Sequence, residues 1–174
     1  MSLADLASVG SLVSGLAVVF SLLFLGLQIR QANRNQRSLM QQGRSARNVE
    51  LLMRLTDPKL SEILVRVFRG DESITDAEYF AMYGYAAAVF WSYEDCFLQF
   101  RSGMLDASSW ASDVSTLKRL LNNPAYRAVW RAARDGIGGD YRQFVDGLVA
   151  EAKAVPSVRA ASSLRQYIAE EIKA

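Results

Sequence analysis

Three adjacent side chains near the middle of the chain, Glu94, Asp95 and Cys96 in the run YEDCF, are the best suited by type to do chemistry. A carboxyl group forced among aromatic residues holds its proton more tightly, and can then act as a general acid or base. Consecutive helical positions point about 100° apart, however, so Glu94 and Asp95 cannot share one site as a catalytic pair. The expectation is structural: Glu94 is the candidate for a buried charge, with one of the two acids paired to Arg101 or to an arginine of a neighbouring helix and the other reaching water. Cys96 has no histidine to activate it, because the chain contains none. Its aromatic neighbours predict a buried, inert thiol.

Other constellations point no further. A single cysteine and no histidine exclude an internal disulfide, Cys/His zinc sites and His-based triads. Gly136, Gly138 and Gly139 lack a preceding strand and a following Gly-Lys-Ser/Thr, so they read as a turn between helices rather than a phosphate loop. Asp140 and Asp146 are too few and wrongly spaced for a calcium loop. Trp91, Trp110 and Trp130 each lie on an apolar stripe and read as packing anchors, with a cofactor or pigment pocket between them as the alternative. The expectation is a protein without catalytic residues, metal or cofactor.

The elements that would position these residues begin with an unusual run. From Leu6 to Ile29 there are 24 residues without a formal charge, and a helix of that length rises roughly 36 Å. That is enough to cross a bilayer core of about 30 Å. Asp5 precedes the run and no Ala-x-Ala cleavage motif follows, so a permanent anchor is expected in place of a cleaved signal. Ala7, Ser11 and Gly15 form one stripe of small residues at one-turn spacing, and Gly10, Ser14, Ala17 and Ser21 form another; both suit close helix packing in a membrane.

Beyond the run, residues 6–56 carry six arginines against the single acid Glu50, whereas residues 57–174 carry 14 bases against 16 acids. The basicity is local. Arg30, Arg34, Arg37 and Arg44, with Arg47, lie on the C-terminal side of the run, which by the positive-inside rule places that side in the cytoplasm and the N-terminus outside. Emerging arginines can lay their stems along the acyl boundary and their guanidinium groups among anionic headgroups, so these four are the candidate membrane-surface contacts. A nucleic-acid partner is not expected, since the rest of the chain is slightly acidic. The interleaved amides, Gln28 and Asn35 among them, could exchange hydrogen bonds between copies.

No proline interrupts residues 1–57, so the apolar run should continue as a basic juxtamembrane helix, with Leu39, Ala46, Val49, Leu52 and Met53 as its apolar seam. Asp57-Pro58 opens a short helix ending at Gly70, and Thr75 with Glu78 forms a capping box for a long aromatic helix to about Arg101. That helix is uncharged only from Tyr79 to Tyr93, which is short for a second crossing and usual for a core helix. Apolar periodicity then predicts helices through Trp110–Leu121, Tyr126–Ala133, Tyr141–Ala152 and Val158–Ile172. No window alternates with period two. The expected fold is all-α: an anchor over 1–29, a juxtamembrane helix over 30–56 and a cytoplasmic helical bundle over 57–174, with no sheet.

LQIRQANRNQR (Leu27–Arg37), DPKLSEIL from Asp57, Gly103-Met104-Leu105-Asp106 followed by Trp110, and NPAYRAVW through YRQFVDGL (Asn123–Leu148) together resemble a widespread family of uncharacterised bacterial single-span membrane proteins with a helical cytoplasmic domain. The resemblance implies a place in the bacterial inner membrane and carries over no catalytic residues. Combined with the residue reading, it leads to the expectation of a non-enzymatic scaffold. Such a protein would associate with lipids and with itself as a homo-oligomer, or join a larger membrane complex as an accessory subunit. The alternative is a tethered sensor that binds a lipid or other apolar ligand in the aromatic bundle.

Overall fold

The structure, a computed structural model, describes residues 3–153 and 159–173 and, within them, every side chain except those of Asp5, Val9 and residues 159–164. Pro156 and Val158, which the sequence places at the start of the last helix, lie outside the described residues. Among the described residues the chain is all-α, with no strand. The helices are α1 (Leu3–Arg54), α2 (Pro58–Arg69), α3 (Asp76–Arg101), α4 (Ala107–Leu121), α5 (Pro124–Ala133), α6 (Gly139–Glu151) and α7 (Arg159–Lys173), with one 3₁₀ turn at Arg134–Gly136. Two compact units divide at Gly43 and Arg44, inside the 30–56 segment distinguished above.

The first unit, as far as it is described, is the early part of α1 alone. The α1 helix is long and apolar enough near its N-terminus to cross a membrane, and none of that stretch is covered by protein. Ser8 Oγ donates to Ala4 O (3.0 Å) and Ser21 Oγ to Ala17 O (2.8 Å), so both hydroxyls are satisfied along the helix itself. A polar group in an apolar medium needs such an internal partner.

In the second unit the helix ends are set by local chemistry. Asp57 accepts from the Lys59 and Leu60 N–H groups, Pro58 occupies the first turn of α2, and Gly70 closes it in the left-handed region at φ 73°. Thr75 and Glu78 form the expected capping box, and Asp106 accepts from Ser109 N at 2.9 Å to open α4. Buried Asn123 accepts from Ala125 N at 2.9 Å to open α5. Arg127 then donates to the Leu121 and Asn122 carbonyls, covering the orphan acceptors where α4 ends.

The α3 helix is the hub, packed against α2, α4 and α5, while α4 also contacts α5 and α6. Its buried side carries Met82, Ala86, Phe90, Cys96 and Phe97, the core role expected of it in place of a second crossing. An unbroken aromatic series runs through the core: Phe68, Tyr126, Phe90, Trp130, Tyr141, Phe97, Trp110 and Phe100, with neighbouring centroids 5.0 to 6.4 Å apart. Tilted, edge-on and offset-stacked pairs at such distances add specificity to apolar burial. In α7, Ile168 and Ile172 are exposed, so its apolar side is uncovered where it is described.

Leu117 is fully buried in this core. Leu117→Ala should cost about 2–5 kcal/mol of stability, read as a shift of the urea midpoint in detergent-solubilised protein. A change below about 0.5 kcal/mol, the scale of surface substitutions, would contradict the packing described here.

Candidate interaction surfaces

The last turns of α1 belong to the second unit, and the face they turn inward carries Arg44, Arg47, Leu51 and Leu55, all partly buried. Arg44 Nη1 donates to Asp113 Oδ2 of α4 at 3.0 Å, with the two side chains only 16% and 17% exposed. Arg47 pairs with Asp95 of α3, and Gln99 Nε2 donates to the same carboxylate at 2.9 Å. The Arg47 Nε is buried with no partner among the described residues. Arg44 therefore separates from the arginines it was grouped with. Arg30, Arg34 and Arg37 are exposed, as lipid contact requires, whereas Arg44 is held by a protein carboxylate and lacks a free guanidinium for headgroups.

The apolar seam expected on this helix lies on the other side. Val49 (57% exposed), Leu52, Met53 and Ala46 are uncovered in the second unit, and Leu39 in the first. Hydrophobicity alone points to the outward face, whereas the inward one meets the domain through Leu51, Leu55 and two ion pairs, of which Arg44–Asp113 is the more deeply withdrawn from water. The partners Asp113 and Asp95 come from distant helices, and no spacing within α1 signals them.

Glu94 is partly buried and accepts from Gly138 N at 2.8 Å. Its partner is a backbone donor at the start of α6, and Arg101 instead bridges to Asp140 across an exposed surface. A Cβ at Gly138 would stand 2.8 Å from Glu94 Oε1, so a side chain there would displace this carboxylate. The arginine partner expected for one of the two acids falls to Asp95. Tyr141 lies nearby with its hydroxyl buried and unpartnered among the described residues, and burial pushes its pKa up.

Cys96 is a free, buried cysteine. Burial first, and the Asp113 charge second, push its thiol up to about 11, against which Arg44 and Arg47 act. Asp113 itself is raised, chiefly by desolvation, with Arg44 and the Cys96 thiol pulling the other way. No group of three or more His, Cys, Asp or Glu side chains suited to a metal occurs among the described residues.

Two of the three tryptophans are anchors. Trp130 is buried and its Nε1–H donates to Asp146 Oδ1 at 2.9 Å, while Trp110 lies in the core. Trp91 is 56% exposed, a correction to its assignment as an anchor. It lines an open groove of about 570 Å³ with Leu51, Leu60, Gly84, Tyr85 and Ala88, so the space beside Trp91 lies at the surface and not between the three tryptophans.

The small residues Ala7, Gly10, Ser11, Ser14 and Gly15 are all exposed, and a Cβ at Gly10 or Gly15 would meet nothing within 4 Å. Both stripes are thus open to a neighbouring helix. Comparison with protein-family models, with curated proteins and with solved structures yields no match.

Two measurements check this geometry. Iodoacetamide should alkylate Cys96 about two orders of magnitude more slowly at pH 8 in the folded chain than in the denatured one, the ratio of thiolate fractions for pKa values near 11 and 8.5. Equal rates would show an accessible thiol. Arg44→Met should cost about 1–3 kcal/mol at pH 7 by leaving a partly buried carboxylate unpaired. The folded pKa of Asp113 already lies above its unfolded value, and losing Arg44 raises it further. Its ionisation therefore opposes folding above that value, and the penalty vanishes below the unfolded value of about 4. The deficit should shrink between pH 7 and pH 4, and a constant deficit would exclude Asp113 as the group left unpaired.

Proposed function

We propose that this chain is a single-span protein of the bacterial inner membrane, N-terminus outside and helical domain in the cytoplasm. In that setting it acts as a non-enzymatic scaffold that associates with itself or joins a larger membrane complex. One observation carries the reading: the apolar part of α1 has no protein over it, with Phe20 68%, Leu22 63% and Phe24 62% exposed. Each such side chain left in water forgoes roughly 1.5–3 kcal/mol, so the stretch needs lipid or another helix.

Exposed Arg30, Arg34 and Arg37 just beyond it support the orientation, at about 1 kcal/mol each against anionic headgroups. The bacterial setting rests on the motif resemblance described above. Support for a role without catalysis is that the best-suited carboxylates, Glu94 and Asp95, are occupied in holding helices together. A second reading, a sensor for a lipid or other apolar ligand, is favoured by the groove beside exposed Trp91.

Membranes washed at alkaline pH should retain the full chain, and a C-terminal tag should resist protease in intact spheroplasts. Gentle detergent extraction should yield a particle heavier than one 19.3 kDa chain plus its micelle. Release into buffer, a digested tag or a strictly single-chain particle without companions would each refute part of this reading. For the second reading, organic extracts of the purified protein should hold a stoichiometric lipid, and its binding should shield Trp91 from iodide. An extract without lipid removes it.

A further inference from the structure

We propose that α1 carries a parallel self-association seam on which a second copy of this chain docks, with Gln28, Asn35 and Gln42 facing their own counterparts. This rests on the self-associating single-span reading and names the surface that does it.

Counted in sevens along the sequence, Leu25, Ala32, Leu39, Ala46 and Met53 fall at one position, and Gln28, Asn35, Gln42 and Val49 at the position three residues later. These are the a and d positions of a coiled coil. All are exposed, and in the stretch from Arg44 to Leu55 the side turned to the helical domain is the opposite one. The domain therefore leaves Ala46, Val49 and Met53 open.

Charge placement favours an identical partner. Arg30, Arg34, Arg37, Arg44, Arg47 and Arg54 all fall at b, c or f positions, away from the seam, and the flanking e and g positions from Ile29 to Leu52 carry only one charge, Glu50. Two parallel copies thus meet without arginine opposing arginine, which in a parallel pair would be repulsive. The amides add a second argument. An amide both donates and accepts, so in an in-register pair Gln28, Asn35 and Gln42 each find a mate at the same height, whereas a uniformly apolar partner would leave all three unpaired. Their seven-residue spacing also disfavours smaller slips, which would set each amide against an apolar residue, as a single polar residue at an a position does in other coiled coils. Copies threaded through one bilayer in the same direction can meet only in parallel along these residues.

Single cysteines introduced by Asn35→Cys, Leu39→Cys and Gln42→Cys on the seam, and by Arg37→Cys and Gln41→Cys off it, test this in the full-length chain in native membranes under mild oxidation. The unaltered chain, whose only thiol is buried Cys96, is the blank. A disulfide requires Cα atoms within about 7 Å, so the three seam variants should form same-residue dimers at least about tenfold faster than the other two. Equal rates at all five positions, no dimer at any, or adducts of another mass in place of dimers would overturn the seam. If the extracted particle is nonetheless multimeric, self-association survives and only this surface falls; a single-chain particle removes both.

Discussion

The pairing of Arg44 with Asp113 and of Arg47 with Asp95 is the interaction on which the arrangement of the second unit turns. Two guanidinium groups partly withdrawn from water need acceptors, and carboxylates on α4 and α3 supply them. Burial of an ion pair is a poor source of net stability, because desolvation takes back much of the attraction. Its value lies in choice: one face of the last turns of α1 can meet the domain, and the more apolar face cannot. The surroundings follow from that choice, including a desolvated Cys96 thiol and a raised Asp113.

The consequence is an inversion of ordinary amphipathic logic. In most globular helices the oily stripe is inward, yet here Val49, Leu52 and Met53 stay outside while Arg44 and Arg47 go in beside Leu51 and Leu55. A helix so arranged keeps its apolar residues available for something beyond its own chain. In the first unit the same availability extends over the apolar stretch, where the Ser8 and Ser21 hydroxyls bond back along the helix and the outer surface suits lipid or a neighbouring helix.

The domain behind that face is held by ordinary means. Aromatic rings from α2 to α6 form one connected series, and caps at Asp57, Thr75, Asp106 and Asn123 mark the helix starts. Both suspected acids have structural duties: Glu94 pins the start of α6 through Gly138 N, and Asp95 receives Arg47 and Gln99.

Several features were legible in the residues alone. Absence of proline before Pro58, the Asp57-Pro58 and Asn123-Pro124 starts and the Thr75–Glu78 box mark where helices run, and the apolar periods of α4, α5 and α6 match their buried stripes, because caps and periodicity act within a few residues of chain. The uncharged run from Leu6 was equally plain, since length and composition suffice to recognise it. What only the tertiary structure decided were the face of α1 that meets the domain, the exposure of Trp91 and the partners of Arg44, Asp95 and Glu94. Each depends on groups distant in sequence, Asp113 for Arg44 and Gly138 for Glu94, and periodicity ranks faces by oiliness without knowing where an opposite charge waits.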